Sequence, residues 1–336
     1  MKQVAIFEAA ARTATLGALL AGLFVGAPGQ AAEGGWKPVD PIEIVVSQGA
    51  GGTTDVMARL IQRIMQNEGL TQAPINVTNK PGGGGGVGLN YLSKRPADGH
   101  SISVGNATMI STHIVGRSKL TYTDFAPIAT LNQDVVAFAV HPSSPLKSGK
   151  DLVDRLKQDP ASISIAIGAA VGNQNHIAIA LVAKSVGVDA RKLKTVIFKS
   201  GAETMTQILG GHVDIGMTSS GQFVKHVEAG RVRLIALAAP QRLEGPLAGI
   251  PTWREQGVDS VAGLWYAVFG PKDTPATAIR YWEEAVAAVE RHEEWRRLVR
   301  NRQMLSLYRG SEETGKFFKS EYERLKGILA ELGLAK

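Results

Sequence analysis

Short apolar stretches alternating with helical patterns predict an α/β protein whose sheets are largely parallel and covered on both faces. Three observations carry this. Ile42 to Ser47 reads as a buried strand and runs through Gly49-Ala-Gly-Gly-Thr-Thr-Asp55 directly into an amphipathic helix, Val56 to Met65. The alternation then continues to the end of the chain. A length of 336 residues with 44% hydrophobic composition is enough for two domains of roughly 100–200 residues each.

The first helix is predicted because Val56, Leu60 and Ile64 fall on one stripe, with Met57, Ile61 and Met65 beside it at the same spacing. Thr53, Thr54 or Asp55 can cap it. The glycines let the backbone approach a ligand, and the first-turn N–H groups, unpaired within the helix, face whatever sits there with the helix dipole favouring negative charge. This segment is expected to hold an anion by its main chain. Further strands are expected at 75–78, 102–104, 135–140, 163–167, 196–198, 215–217, 234–237 and 266–269. Helices are expected at 87–94, 149–158, 174–186, 202–210, 220–229, 275–290 and 312–332. In such folds ligands sit beyond the carboxyl ends of the strands.

Residues 1–31 have the pattern of a secretory signal peptide: Lys2 and Arg12, then an uncharged run from Thr15 to Ala27, then small residues through Ala32. The run is shorter than the roughly 20 apolar residues a bilayer requires, and no later segment qualifies. The chain has no cysteine, which excludes a thiol-anchored lipoprotein and a disulfide scaffold. The mature chain is therefore expected to be a free protein of the bacterial periplasm. The net charge of +7 is spread along the chain. Between Arg291 and Arg302, acidic and basic residues interleave without aromatics in stacking order, so the stretch reads as a solvated helix face and nucleic acid is not an expected partner.

Other chemistry finds little support. Gly82 to Gly86 lacks the Gly-Lys-Ser/Thr ending of a phosphate loop, and no acidic residue follows Gly83, Gly85 and Gly88 at about 20 positions as a dinucleotide site needs. The plainer reading is a flexible turn that lets a second backbone segment approach the ligand. The seven histidines show no pair at helical metal-binding spacing. Ser219-Ser220-Gly221 is not a nucleophile elbow, and no local pair of carboxylates suggests glycosidase work. Neither a cofactor nor a catalytic group is called for.

The chain resembles the extracytoplasmic solute receptors of the tripartite tricarboxylate transporter family, the Bug-type binding proteins. The matching stretches include Ile44 to Arg59, Asn79-Lys-Pro-Gly-Gly, Pro96-Ala-Asp-Gly-His100, Phe125-Ala-Pro-Ile128, Gly168 to His176, Gly210-Gly-His-Val-Asp214, Ile250 to Gly257 and Trp265 to Pro271, in family order. The resemblance implies a two-domain periplasmic binding protein of type II-like form, with a ligand cleft between the domains and two hinge crossings near 135–140 and 264–269. Domain 1 would comprise 32–133 plus 259–336, and domain 2 134–258. Closure on a ligand would couple binding to a shape that a membrane partner can read.

The resemblance also implies a site. One carboxylate would meet the backbone of Gly51, Gly52, Thr53 and Thr54, with Asn106 and Thr108 adding side-chain donors. Gly172, Asn173, Gln174 and His176 would grip the distal end, with Ser200 and Gly201 forming a third turn and Thr218 and Ser219 following a strand. Several oriented N–H donors recognise a carboxylate without a buried cation. Asp55 could read an ammonium or cap its helix; His176 could bind ligand or satisfy a turn; Lys199 could pair with a second carboxylate or be solvated; Trp265 could wall the cleft or pack. Ser47-Gln48-Gly49 replaces the family's proline-rich turn, Asn173-Gln174-Asn175 replaces a serine-rich one, and an acidic residue near Thr218 is missing. These departures favour a dicarboxylate or aromatic carboxylate over an ammonium-bearing amino acid.

The expected function is thus capture of a small organic carboxylate, a di- or tricarboxylate or an aromatic acid, by a monomeric receptor and its delivery to membrane permease subunits. The alternatives are a receptor that presents ligand to a sensor kinase, and an exported enzyme using Asp55 or His176 as acid or base.

Overall fold

The computed structural model describes residues 35–168, 172–198 and 201–336. The expected signal peptide lies outside the described residues, as do Lys199 and Ser200. The chain opens with β1 (Ile42–Val46), α1 (Thr53–Asn67), β2 (Ile75–Asn79), α2 (Gly86–Leu92), β3 (Ser101–Asn106), α3 (Thr108–Ile114) and β4 (Phe125–Gln133). It continues through β5 (Val136–Val140), α4 (Gly149–Gln158), β6 (Ile165–Gly168), α5 (Gln174–Ser185), β7 (Thr195–Phe198), α6 (Gly201–Leu209), β8 (Ile215–Ser219), α7 (Val224–Glu228) and β9 (Arg233–Leu237). It closes with β10 (Trp265–Pro271), α8 (Ala276–Arg291), α9 (Glu293–Asn301), β11 (Leu305–Arg309) and α10 (Ser311–Glu331).

The strands form two sheets. One has six strands in the order β11-β4-β10-β3-β1-β2, the other five in the order β7-β6-β8-β5-β9. Both are mixed, which corrects the expectation of largely parallel sheets: β1–β2, β1–β3, β6–β7 and β6–β8 are parallel, and the other five pairings are antiparallel. The cause is the path of the chain. β5 and β10 each enter a sheet at a crossing from the other and therefore run against β8 and β3, whose carboxyl ends point back toward the crossing.

The first crossing is short, since β4 ends at Gln133 and β5 begins at Val136 in the other sheet. The second lies at 262–264, where the Ala262 N–H donates to the Ala238 carbonyl at 3.0 Å and the Asp134 N–H to the Leu264 carbonyl at 3.0 Å. At Gly263 the two crossings touch backbone to backbone: a Cβ there would lie 2.0 Å from the Asp134 carbonyl oxygen. Only glycine permits that approach.

Helix α1 buries Met57, Leu60, Ile61, Ile64 and Met65 against β1 and α8, as its periodicity predicts, with Val56 at the margin. Its cap differs from expectation. Gly52 is the N-cap and makes no side-chain cap bond, while Thr53 and Thr54 are the first helical residues. Instead, the Asp55 carboxylate reaches back to accept from the Gly51 N–H at 2.9 Å.

The elements not foreseen were the least regular ones. β4 carries Pro127, which reads as a strand breaker; the pairing tolerates it because the register with β10 shifts between Val268 and Phe269, opposite that proline. β11 is a half-exposed edge strand, and α3 has only seven residues. The helix expected at 220–229 is broken into a 3-10 turn at Ser220–Gln222 followed by α7, where Gly221 packs against the Arg302 carbonyl. Among the described residues no helix is long and apolar enough to cross a membrane.

Candidate functional site

The carboxyl ends of β1, β3 and β6 converge on a cavity of about 550 Å³. Ser47, Gln48 and Gly49 line it after β1, and Asn106, Ala107 and Thr108 after β3. Gly172, Asn173 and Gln174 line it at the start of α5, the 262–264 crossing closes one side, and Glu321, Arg324 and Leu325 reach in from α10. Gly82, Gly84 and Gly85 form a further wall. All of Gly82 to Gly85 have positive φ, between 57° and 132°. That run of left-handed geometry explains the consecutive glycines, and it brings bare backbone to the cavity as the sequence suggested.

On the β3 side, the Asn106 Oδ1 accepts from the Thr108 N–H at 3.0 Å and from its hydroxyl at 2.7 Å, which fixes the start of α3. Asn106 is 5% exposed, and its Nδ2 donates to no atom among the described residues, leaving a fixed donor at the cavity wall. Gln48 ties this group to α1: its Oε1 accepts from the Thr54 hydroxyl at 2.9 Å and its Nε2 reaches the Thr108 Oγ1 at 3.5 Å. Gln48 therefore braces the loop with side-chain bonds.

At α5, Asn173 is the N-cap. Its Oδ1 accepts from the N–H groups of Asn175 and His176 at 3.0 Å each, and its Nδ2 donates to the Gly168 carbonyl. Its side chain is thus fully used in building the turn. Gln174 is half-buried at the cavity and its side chain makes no bond to the described residues. His176 turns away: buried, its Nδ1 accepts from the Gly172 N–H at 3.0 Å, so that nitrogen is unprotonated. Burial holds its pKa below the ordinary histidine value.

Among the described residues, three charged side chains line the cavity: Arg117, Glu321 and Arg324. Arg324 grips Glu321 in a two-pronged pair, Nε to Oε1 at 2.7 Å and Nη2 to Oε2 at 2.9 Å. Glu321 also accepts from the Trp265 indole N–H at 3.1 Å. Trp265 itself is 1% exposed and stacked on Phe318, so it packs and steers Glu321 without forming a wall.

The remaining expected residues are not at this cavity. Gly51 gives its N–H to Asp55, and the Gly52 N–H points to the Gly49 carbonyl at 3.3 Å. Asp55 is also paired with Arg59 at 3.1 Å. Burial opposes its charge, but the bonds from Arg59 and Gly51 outweigh it and hold the carboxyl below the ordinary range. Thr218 is buried in β8, with its Oγ1 against Gly201. Thr53 and Ser219 meet elsewhere, in a buried cluster beneath the crossings. There the Asp134 Oδ2 accepts from the Tyr266 hydroxyl at 2.7 Å and the Ser219 hydroxyl at 2.9 Å, and Arg302 donates to the Thr53 Oγ1 at 3.0 Å. Burial pushes the Asp134 carboxyl above its ordinary range, an effect that these donors and Arg302 only partly offset.

Sequence reasoning missed Arg117, Glu321 and Arg324. The first follows a helix too short to register. The other two lie about 200 residues further on, in a helix whose pattern says nothing of what its polar face meets.

A mixed α/β scaffold of two sheets, crossed twice, with a cavity at the strand ends, is an architecture shared with solute-binding proteins. The chain belongs to the tripartite tricarboxylate transporter receptor family, whose sequence model matches residues 57–334. It is 28% identical to Protein BugT of Bordetella pertussis over 262 residues, 75% of this chain and 78% of that one. A TctC solute-binding protein from Polaromonas superposes with a TM-score of 0.76 at 25% identity, over 88% of this chain and 99% of that one. An R. palustris protein solved with adipate gives 0.74 at 24% identity, over 89% and 99%.

Proposed function

We propose that this chain is a periplasmic receptor that captures a small organic carboxylate in the cavity between β1, β3 and α5 and delivers it to the membrane subunits of a tripartite transporter. The observation that carries the reading is the charge and donor content of that cavity. Among the described residues its single acidic group is already neutralised by Arg324, two arginines stand against one glutamate, and the Asn106 Nδ2 and the Gln174 amide have no protein partner. An anion entering such a site meets oriented donors and an excess cation. Adipate, the acid named for the R. palustris relative, is of this ligand class.

On this reading the lobes, 32–133 plus 259–336 and 134–258, close about the two crossings when the acid binds. The side-chain donors proposed to hold it are the Ser47 hydroxyl, the Asn106 Nδ2 and the Gln174 amide, with the Thr108 hydroxyl orienting Asn106. The enzyme reading gains no support from its two candidates, since Asp55 and the His176 Nδ1 both hold helix starts.

The test is a thermal-shift screen of residues 33–336 against dicarboxylates, tricarboxylates, aromatic acids and amino acids, since a ligand bound only by the folded state raises the midpoint. A concentration-dependent rise with one acid class and no consumption of it over time supports the receptor. Turnover of the acid, or no rise with any of them after refolding from denaturant, counts against it.

A further inference from the structure

Arg117 is anchored as firmly as a loop residue can be. Helix α3 ends in a Schellman turn: Gly116 has φ of 71°, its N–H donates to the His113 carbonyl at 2.9 Å, and the Arg117 N–H donates to the Thr112 carbonyl at 2.8 Å. The Ser118 N–H adds a second bond to the Thr112 carbonyl at 3.1 Å. The last residue of the chain, Lys336, pins the same turn by donating its N–H to the Ile114 carbonyl at 2.9 Å. The backbone of Arg117 is therefore held in place at the cavity edge.

Its guanidinium, by contrast, has no hydrogen bond or ion pair with any described residue. The other two charges of the cavity form a closed pair, Arg324 on Glu321, with the Trp265 indole completing it. Arg117 is exposed at the edge of this cavity, and the amides of Asn106 and Gln174 line the same cavity. Guanidinium binds carboxylates through two parallel N–H donors and loses less freedom per bond than an ammonium. The arrangement fits a ligand that places one acidic group among the amide and hydroxyl donors and a second on Arg117.

We infer that Arg117 sets the charge selectivity of this cavity by pairing with a second acidic group of the ligand, so that the receptor prefers a diacid over the monoacid of the same skeleton. This rests on the carboxylate-receptor reading above. An arginine that merely stays solvated would not discriminate within such a pair.

The experiment is isothermal titration of residues 33–336 with matched acids, straight-chain diacids of four to eight carbons beside their monoacids and terephthalate beside benzoate. It compares the wild type with Arg117→Gln and Arg117→Lys, each checked for an unchanged unfolding midpoint. The wild type is expected to favour one diacid over its monoacid by about tenfold or more, the scale of a charge-assisted fork. Arg117→Gln should bring that ratio close to one, and Arg117→Lys should restore part of it. A ratio the same in Arg117→Gln as in the wild type overturns the inference while leaving the receptor intact, as does an equal loss for both acids. Binding of no acid by the wild type overturns the receptor reading and this inference with it.

Discussion

Asp134 sits where the two crossings meet, and the effect of removing it can be worked through from its contacts. It is 7% exposed, and one carboxylate oxygen receives both the Tyr266 and the Ser219 hydroxyls, from β10 in one sheet and β8 in the other. Tyr266 is 1% exposed and has no water to turn to. Hydrogen bonds to a charged acceptor contribute about 1.5–3 kcal/mol each, and stranding a buried donor costs its desolvation. Asp134→Ala is therefore expected to lose about 3–5 kcal/mol of unfolding free energy. Asp134→Asn keeps an acceptor in place and removes a charge that burial already disfavours, so it should stay within about 1 kcal/mol of the wild type at pH 7. The pH dependence gives a second check. A carboxyl whose folded pKa is raised binds more protons in the native state, so wild-type stability falls as pH rises from 3.8 through the folded value. The asparagine variant lacks that slope. Urea unfolding followed by tryptophan fluorescence measures both quantities. If alanine leaves the midpoint unchanged, or asparagine costs as much as alanine, the hydroxyl-to-carboxylate bonds are not what joins the crossings and the reasoning fails.

Two further outcomes concern the crossings and the α8–α9 junction. Gly263→Ala places a methyl 2.0 Å from the Asp134 carbonyl oxygen, so the crossings must separate; a loss of about 2–4 kcal/mol is expected, and an unchanged denaturation curve would show that they part freely. Glu290 is half-buried, and burial pushes its pKa up to about 7 from 4.5, with the Trp295 side chain and the Arg296 charge opposing the rise. Its native state therefore binds more protons between those values, and stability falls as pH rises through that window. Glu290→Gln should exceed the wild type by about 1–3 kcal/mol at pH 8 and match it near pH 4.5. A difference that is the same at both pH values would contradict this.

Much of the fold was legible because the signals were local. The stripe of Leu60, Ile61, Ile64 and Met65 and the glycine run before α2 each describe geometry that a few neighbouring residues decide. Asn106, Thr108 and Gly172 to Gln174, which the family resemblance brought forward, line the cavity where a strand gives way to a helix. β4 and α3 were not legible, because Pro127 contradicts its strand locally and is accommodated only by the shifted register of β10.

By itself, then, the sequence determined most of the elements, the α/β class and the glycine turns that end the strands, all of them consequences of periodicity and backbone preference over a few residues. Only the tertiary structure decided which of those turns share a cavity. It drew Asp55 and His176 into helix starts and gathered Thr53 and Ser219 with Asp134 beneath the crossings. It also paired Arg324 with Glu321 and left Arg117 unpaired beside them. The physical reason is distance along the chain. The charge balance of the cavity is set between α3 and α10, about 200 residues apart, and no local pattern encodes what a polar side chain meets across that separation.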